Sequence, residues 1–280
     1  MKRRRFLRQV GVTAIGSGGV LASVSAQSPE SADVVSQQNS PRRVLVTSAD
    51  SKVARAIADA LAADYDVRLT APSEGSTRHV LPDNELGDHT TINSLVRDMD
   101  AIVHVAQPAT EASEQDQIDF RTRGTYNLLR SAVEEGVRHV IYLSSLQILT
   151  AYDEQFEVTE DWRPLPSDDA QVLSHYLGEF TCREFARQGG VGVVVLRLGK
   201  IVQADEAAKE PFDPLWVDQR DVVQAVSKVL EARLSGTGPL ARAWSVFHIQ
   251  SGSSQARFTS ARAKSEFGYA PQFPLVHDDA

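Results

Sequence analysis

From residue 43 onward the apolar residues follow two alternating rhythms. Short runs rich in Val, Ile and Leu fall at 43–47, 66–70, 101–105, 139–143, 191–196 and 244–249, the composition and length expected of strands. Between them, apolar residues recur every three or four positions, which predicts helices over 53–63, 120–135, 173–187, 220–233 and 260–267. Gly136, Gly189-Gly190 and Gly268 stand just past three of these helices, where a left-handed residue ends a helix most easily. Strand and helix in alternation predict an α/β fold with a doubly wound parallel sheet. The run over 191–196 is almost wholly apolar, as in a sheet covered on both faces. The reading divides the folded part into a main sheet-and-helix domain over 42–200 and a small substrate-side region over 201–280.

The first residues do not fit that rhythm. Lys2, Arg3, Arg4, Arg5 and Arg8 precede a Gly-rich, mildly apolar stretch ending in Val24-Ser25-Ala26. A basic start, a short apolar centre and a small-x-small ending are the three parts of a secretory signal. Arg3-Arg4 followed by x-Phe6-Leu7 resembles the twin-arginine export motif. The stretch is short and rich in Gly and Ser for a membrane span; an uncleaved anchor is the alternative. Residues 1–26 are therefore expected as a signal peptide, and the Ser/Gln-rich 27–41 as a disordered linker. An exported chain, periplasmic or extracellular, is the expectation.

Charge changes the picture of partners. The formal net charge is −8. Loss of the signal would remove five cations and no acid, leaving −13. Such a surface favours solubility and repels polyanions, so no nucleic-acid partner is expected. Cys182 is the single cysteine, and the seven histidines show no ligand spacing, so neither a disulfide nor a metal site is expected.

In a doubly wound sheet, ligands bind beyond the carboxyl ends of the strands. The residues there form an ordered series. It runs through Val46-Thr47-x-Ala49, Gly87-Asp88, Asp100-Ala101-Ile102-Val103-His104-Val105-Ala106 and Gly124-Thr125-x-Asn127-Leu128-Leu129. It continues with Tyr142-Leu143-Ser144-Ser145, Gly178-Glu179, Leu196-Arg197 and Val217-Asp218-x-Arg220-Asp221-Val222. Together these resemble the extended short-chain dehydrogenase/reductases, the NAD-dependent epimerase/dehydratase family. The ending from Arg257-Phe258 to Phe267-Gly268-Tyr269-x-Pro271 is similar to the short, uronate-dehydrogenase-like members. The resemblance covers roughly residues 43–273 and implies a Rossmann-like fold, NAD or NADP as cofactor and a sugar or sugar acid as ligand. It also implies a homodimer formed through the helices at 120–135 and 173–187.

The positions that would carry the chemistry depart from the family's pattern. Its three loop glycines align with Ser48, Ser51 and Ala54. A side chain there crowds the pyrophosphate, although a serine hydroxyl still offers a hydrogen bond. Asp50 in the same loop competes with phosphate for the helix N-terminus, and Ser51 or Asp50 capping that helix is the plainer alternative. The ribose-binding acid aligns with Ala71, which holds nothing; Arg68 is one candidate for a 2′-phosphate partner. Gly87 and Asp88 match the adenine-contacting pair, or a plain turn. Of the catalytic set, Ser145 is retained, while Arg121 stands at the Asn position, Gln171 at the Tyr position and His175 at the Lys position.

Glutamine has no titratable proton to shuttle. His175 is either an alternative base or a partly exposed helix residue without a task, and Ser145 could merely satisfy a loop backbone group. Arg121, His175 and Ser145 could together form a cationic cleft for a small anion such as a sugar carboxylate. His104 is expected as a hydrogen-bonded core residue. The expectation is a catalytically impaired binding protein with weak or absent dinucleotide binding; the alternative is an active NAD(P)-dependent oxidoreductase or epimerase. Export predicts a processed chain beginning at Gln27. Intact mass of periplasmic or culture-fraction protein checks it, and recovery of only full-length chain from cytoplasm would refute it.

Overall fold

A computed structural model describes residues 41–275, apart from 72–79, 83–85, 208, 237–239, 241, 253–255 and 274. The expected signal peptide and all of the linker but residue 41 lie outside the described residues. Seven parallel strands form one sheet in the order β3-β2-β1-β4-β5-β6-β9. They are β1 (Arg43–Val46), β2 (Asp66–Ala71), β3 (Val80–Pro82), β4 (Ala101–His104), β5 (His139–Ser145), β6 (Gly192–Leu198) and β9 (Trp244–Ile249). This is the doubly wound, Rossmann-like arrangement expected from the alternation of strands and helices.

Strand alternation divides the core in two. Val44, Val46, Val103, Ile141, Leu143, Val194 and Leu196 face one layer, formed by α1 (Lys52–Leu61) and α7 (Gln219–Leu234). Leu45, Ile102, Val140, Tyr142, Val193 and Val195 face the other. That layer holds α2 (His89–Val96), α4 (Thr125–Glu134) and α5 (Ala170–Gln188). The period of two thus buries the central strands β1, β4, β5 and β6 on both faces.

Residues 201–280 are shared out between the two parts. β9 pairs with β6 and α7 packs on the sheet, so both belong to the main layers. β7 (Lys200–Val202) and β8 (Trp216–Asp218) form a separate two-stranded sheet, with α6 (Ala204–Ala207) between them and α8 (Ala261–Phe267) near the chain end.

Helix ends follow local chemistry. Gly136, Gly189 and Gly268 have φ of 80°, 80° and 70°, the left-handed conformation glycine adopts without strain. The helix expected over 173–187 begins earlier, at Ala170, because the Asp169 carboxylate accepts the Val172 N–H at 3.0 Å and caps it. The helix expected over 120–135 starts differently. α3 (Glu114–Asp119) runs into a π turn over Phe120–Gly124 before α4 begins. Such turns insert one extra residue and re-aim the side chains around it.

His104 sits in the core as expected. It is fully buried, with Nδ1 2.9 Å from Thr47 Oγ1 and Nε2 3.0 Å from Thr125 Oγ1, which ties β1, β4 and α4 together. Burial pushes His104 and His248 down to about 3, with Arg121 adding to the first and Arg197 to the second. Between about pH 6.5 and pH 3 the unfolded chain therefore binds protons that the fold excludes. Stability should fall on acidification through that window, by up to about 1.4 kcal/mol per pH unit for each histidine. Melting temperatures at pH 7 and pH 5 measure it. His248→Leu should lose less over this interval than wild type, and a flat wild-type profile would contradict the account.

Candidate functional site

The cofactor end is built from the turn between β1 and α1. Ser48 adopts φ +63°, the left-handed conformation for which the family uses glycine. Its hydroxyl faces β4, accepting the Gln107 N–H at 3.2 Å. Ser51 caps α1, its Oγ accepting the Ala54 N–H at 3.4 Å, so the capping alternative describes it. Ala54 is fully buried in the helix face that packs on the sheet.

A cleft of about 390 Å³ opens beside this turn, with Asp50, Lys52, Gln107, Gln203 and Glu206 among its walls. Lys52 Nζ lies 2.7 Å from Glu206 Oε1, spanning the cleft from α1 to α6. No local pattern in the sequence points to this pair, because 154 positions separate its members. The α1 N-terminus and Lys52 fit a dinucleotide's diphosphate, whereas Asp50 and Glu206 place two carboxylates beside it.

The other cofactor positions are occupied structurally. Ala71 ends β2 and, as an alanine, has no acceptor for a ribose hydroxyl. Arg68 is not free for a 2′-phosphate: its Nη1 donates to the carbonyls of Ser94, Leu95 and Arg97 at the end of α2. Gly87 leads into Asp88, whose carboxylate caps α2 by accepting the Thr91 N–H at 2.9 Å and the Thr91 hydroxyl at 2.6 Å. Those bonds hold Asp88 below the usual carboxylate range.

The catalytic positions divide into buried and exposed. Gln171 is exposed in the first turn of α5. Ser145 Oγ accepts the Gln147 N–H at 3.1 Å and caps the 3-10 turn over Leu146–Leu149. The structure corrects the expectation of a partly exposed His175. It lies on the buried face of α5, with Nδ1 lacking a partner. Burial, and then the Arg121 charge, hold His175 well below its ordinary value, so it is neutral at physiological pH.

Arg121 does not point to solvent. It is 1% exposed within the π turn, and its Nη1 donates to Ser174 Oγ at 3.0 Å. Its Nε has no partner, and among the described residues no carboxylate pairs with it. Burial lowers its proton affinity, with the nearby Tyr142 opposing that shift. Arg121 and His175 are thus together, but inside the protein.

A second cavity, of about 530 Å³, adjoins the catalytic positions. Gln147 and Val172 bring it next to Ser145 and Gln171, while Lys200, Asp213, Glu154 and Arg257 supply its charge. Lys200 pairs with Asp213, and Arg257 Nη2 donates to the carbonyls of Tyr152 and Asp153. Arg121, Ser145 and His175 do not line this cavity. The expected three-residue anion cleft is therefore not formed, because the π turn and the burial of α5 draw Arg121 and His175 inward. Lys200 and Arg257 come from segments distant in sequence, and only the fold joins them.

Comparisons with known proteins agree with this architecture. An L-arabinose 1-dehydrogenase (NAD(P)(+)) of Haloferax volcanii is 25% identical over 225 residues, covering 71% of this chain and 86% of the relative. A uronate dehydrogenase of Pseudomonas putida is 25% identical, covering 59% and 60%. The crystal structure of uronate dehydrogenase from Agrobacterium tumefaciens superposes with a TM-score of 0.70 at 20% identity, over 84% of this chain and 85% of that one. A model of the NAD dependent epimerase/dehydratase family matches residues 44–211, more than half of the chain, and the chain belongs to that family.

Proposed function

We propose that this chain is an exported member of the family that binds a sugar or sugar acid without turning it over by the tyrosine route. One observation carries the reading: the proton-carrying position holds Gln171, and the imidazole one turn along, His175, is buried and kept neutral. A positioned acid–base typically contributes about 10²–10⁴ in rate. The 530 Å³ cavity beside Gln171 supports binding, with the Lys200 and Arg257 cations suited to a carboxylate. The twin-arginine-like start at Arg3-Arg4 supports export.

NAD or NADP would be held by the α1 N-terminus and Lys52, and would supply hydride transfer when bound. Its affinity is weak in this reading, since Ser48 replaces a glycine, Ala71 replaces an acid and Glu206 competes for Lys52. The loss of one charge-assisted bond costs on the order of 1.5–3 kcal/mol, roughly tenfold or more in affinity. Tyr126 and Val133 on α4 and Phe180 on α5 are exposed, and they support a homodimer through those two helices. The relatives named as sugar dehydrogenases favour a second reading, an active NAD(P)-dependent oxidoreductase.

A screen of sugar acids with NAD and NADP separates the two. The expected result is a saturable thermal shift with one or more sugar acids and no change in nicotinamide absorbance. Steady nicotinamide reduction that survives Gln171→Ala and is lost in His175→Ala would make His175 the base and overturn the proposal. In titration calorimetry, a low-micromolar dissociation constant for NAD would refute weak binding.

Arg121 is a buried charge with no acid beside it, an arrangement that costs several kcal/mol. Arg121→Met should therefore stabilise the fold, on the order of 1–3 kcal/mol, and shift the His175 titration upward. Denaturant unfolding and imidazole NMR read the two effects. A destabilised variant would mean that the guanidinium is balanced by its surroundings.

A further inference from the structure

The opposite edge of the sheet carries a cluster that the family reading does not use. Arg138 immediately precedes β5 and His139 opens it, Gly192 opens β6, and Ala243 immediately precedes β9. The strands are parallel, so these amino ends share one edge, away from the carboxyl ends where the clefts described above lie. A pocket of about 320 Å³ sits there, and Arg138, His139, Arg233 and Arg242 are its charged and titratable lining. No carboxylate lines it, in a chain whose formal charge is −8.

Arg233 makes this more than a surface patch. It is 7% exposed near the end of α7, and Nη1 donates to the carbonyls of Leu240 and Arg242. Its Nε is buried without a partner, and among the described residues no acid pairs with it. A Cβ on Gly192 would lie 2.0 Å from Arg233 Nη2, so the guanidinium rests directly on the β6 backbone and would have to shift for any side chain there. His139 Nδ1 is likewise buried without a partner. Arg138 and Arg242 are exposed at the rim, and Arg138 Nη1 donates to the Gly190 carbonyl at 3.3 Å. The nearby acid Asp100 acts on His139, but its carboxylate already accepts the Arg43 N–H.

We propose that this pocket is a second ligand site, which binds a phosphate dianion, free or as the end of a small ester. Three guanidiniums from separate segments converge on a space large enough for a phosphate and part of an ester. Guanidinium forks match phosphate oxygens, and partial burial strengthens each contact.

Titration calorimetry with inorganic phosphate, at ionic strength held constant with chloride, tests the site. Wild type should bind saturably. The double variant Arg138→Ala/Arg242→Ala changes only exposed side chains and should weaken binding tenfold or more with an unchanged melting temperature. Gly192→Ala, which displaces the Arg233 guanidinium and keeps every charge, should weaken it as well. Lys52→Ala should leave it intact, which separates this site from the diphosphate cleft. A sugar phosphate arm separates the two sources: an ester that displaces phosphate with higher affinity identifies the ester as the ligand, and one that does not identifies free phosphate. Heat matched by chloride alone, binding undiminished in the double variant, or binding lost in Lys52→Ala would each overturn the proposal.

Discussion

The height at which α5 lies on the sheet decides what this cleft can do, and two contacts set it. Glu179 meets Arg197 of β6 through two bonds of 2.9 Å, both side chains almost fully buried. One residue earlier, Gly178 passes so close to β5 that an added Cβ would lie 2.0 Å from the Tyr142 hydroxyl. A bidentate buried pair tolerates little sliding, because removing either partner from the other strands a charge in the interior. The rest of α5 follows by helical geometry. His175 stands one turn before Glu179 on the same buried face, and Gln171 one turn further, where the helix emerges into solvent.

That register turns a change of residue type into a change of chemistry. A lysine at 175 would have to carry its charge beside the buried guanidinium of Arg121; a neutral imidazole carries none. An arginine at 121 and a neutral imidazole at 175 are physically compatible with each other. The π turn over Phe120–Gly124 links them, since it places Arg121 against Ser174 rather than toward the cavity at Lys200 and Arg257. Electrostatics and backbone geometry thus act together on Arg121 and His175, keeping the first turned inward and the second neutral.

Much of this was legible in the residue pattern. The strand rhythm in Val44 to Val46 or Val193 to Leu196 has one solution in a sheet buried on both faces, and Gly178-Glu179, the landmark from which Gln171 and His175 are counted, lies with both of them on α5. Side-chain direction was less accessible. Whether Arg121 turns inward depends on one extra residue in a helical turn, which no periodicity encodes. Helix α2 was hidden by its β-branched Thr90, Thr91 and Ile92, and only the Asp88 cap marks its start. Contacts such as Lys52 with Glu206 join distant segments through the sheet order, so spacing along the chain carries no trace of them.

The polar residues of the two sheet edges have opposite fates. At the carboxyl ends, several polar groups are taken up by the fold itself: Ser145 caps a turn, Arg68 and Asp88 cap α2, and Ser48 bonds the chain after β4. At the amino ends, Arg233 and His139 keep buried nitrogens with no partner at all. Unsatisfied buried donors cost about 1–3 kcal/mol each, and at this edge Arg233 and His139, which carry two of them, border a pocket lined by cations and no carboxylate. Arg121 Nε and His175 Nδ1 lack partners as well, but those two residues lie inside the protein, whereas Arg233 and His139 line a pocket, so the proposed anion site is where such groups have a ligand within reach.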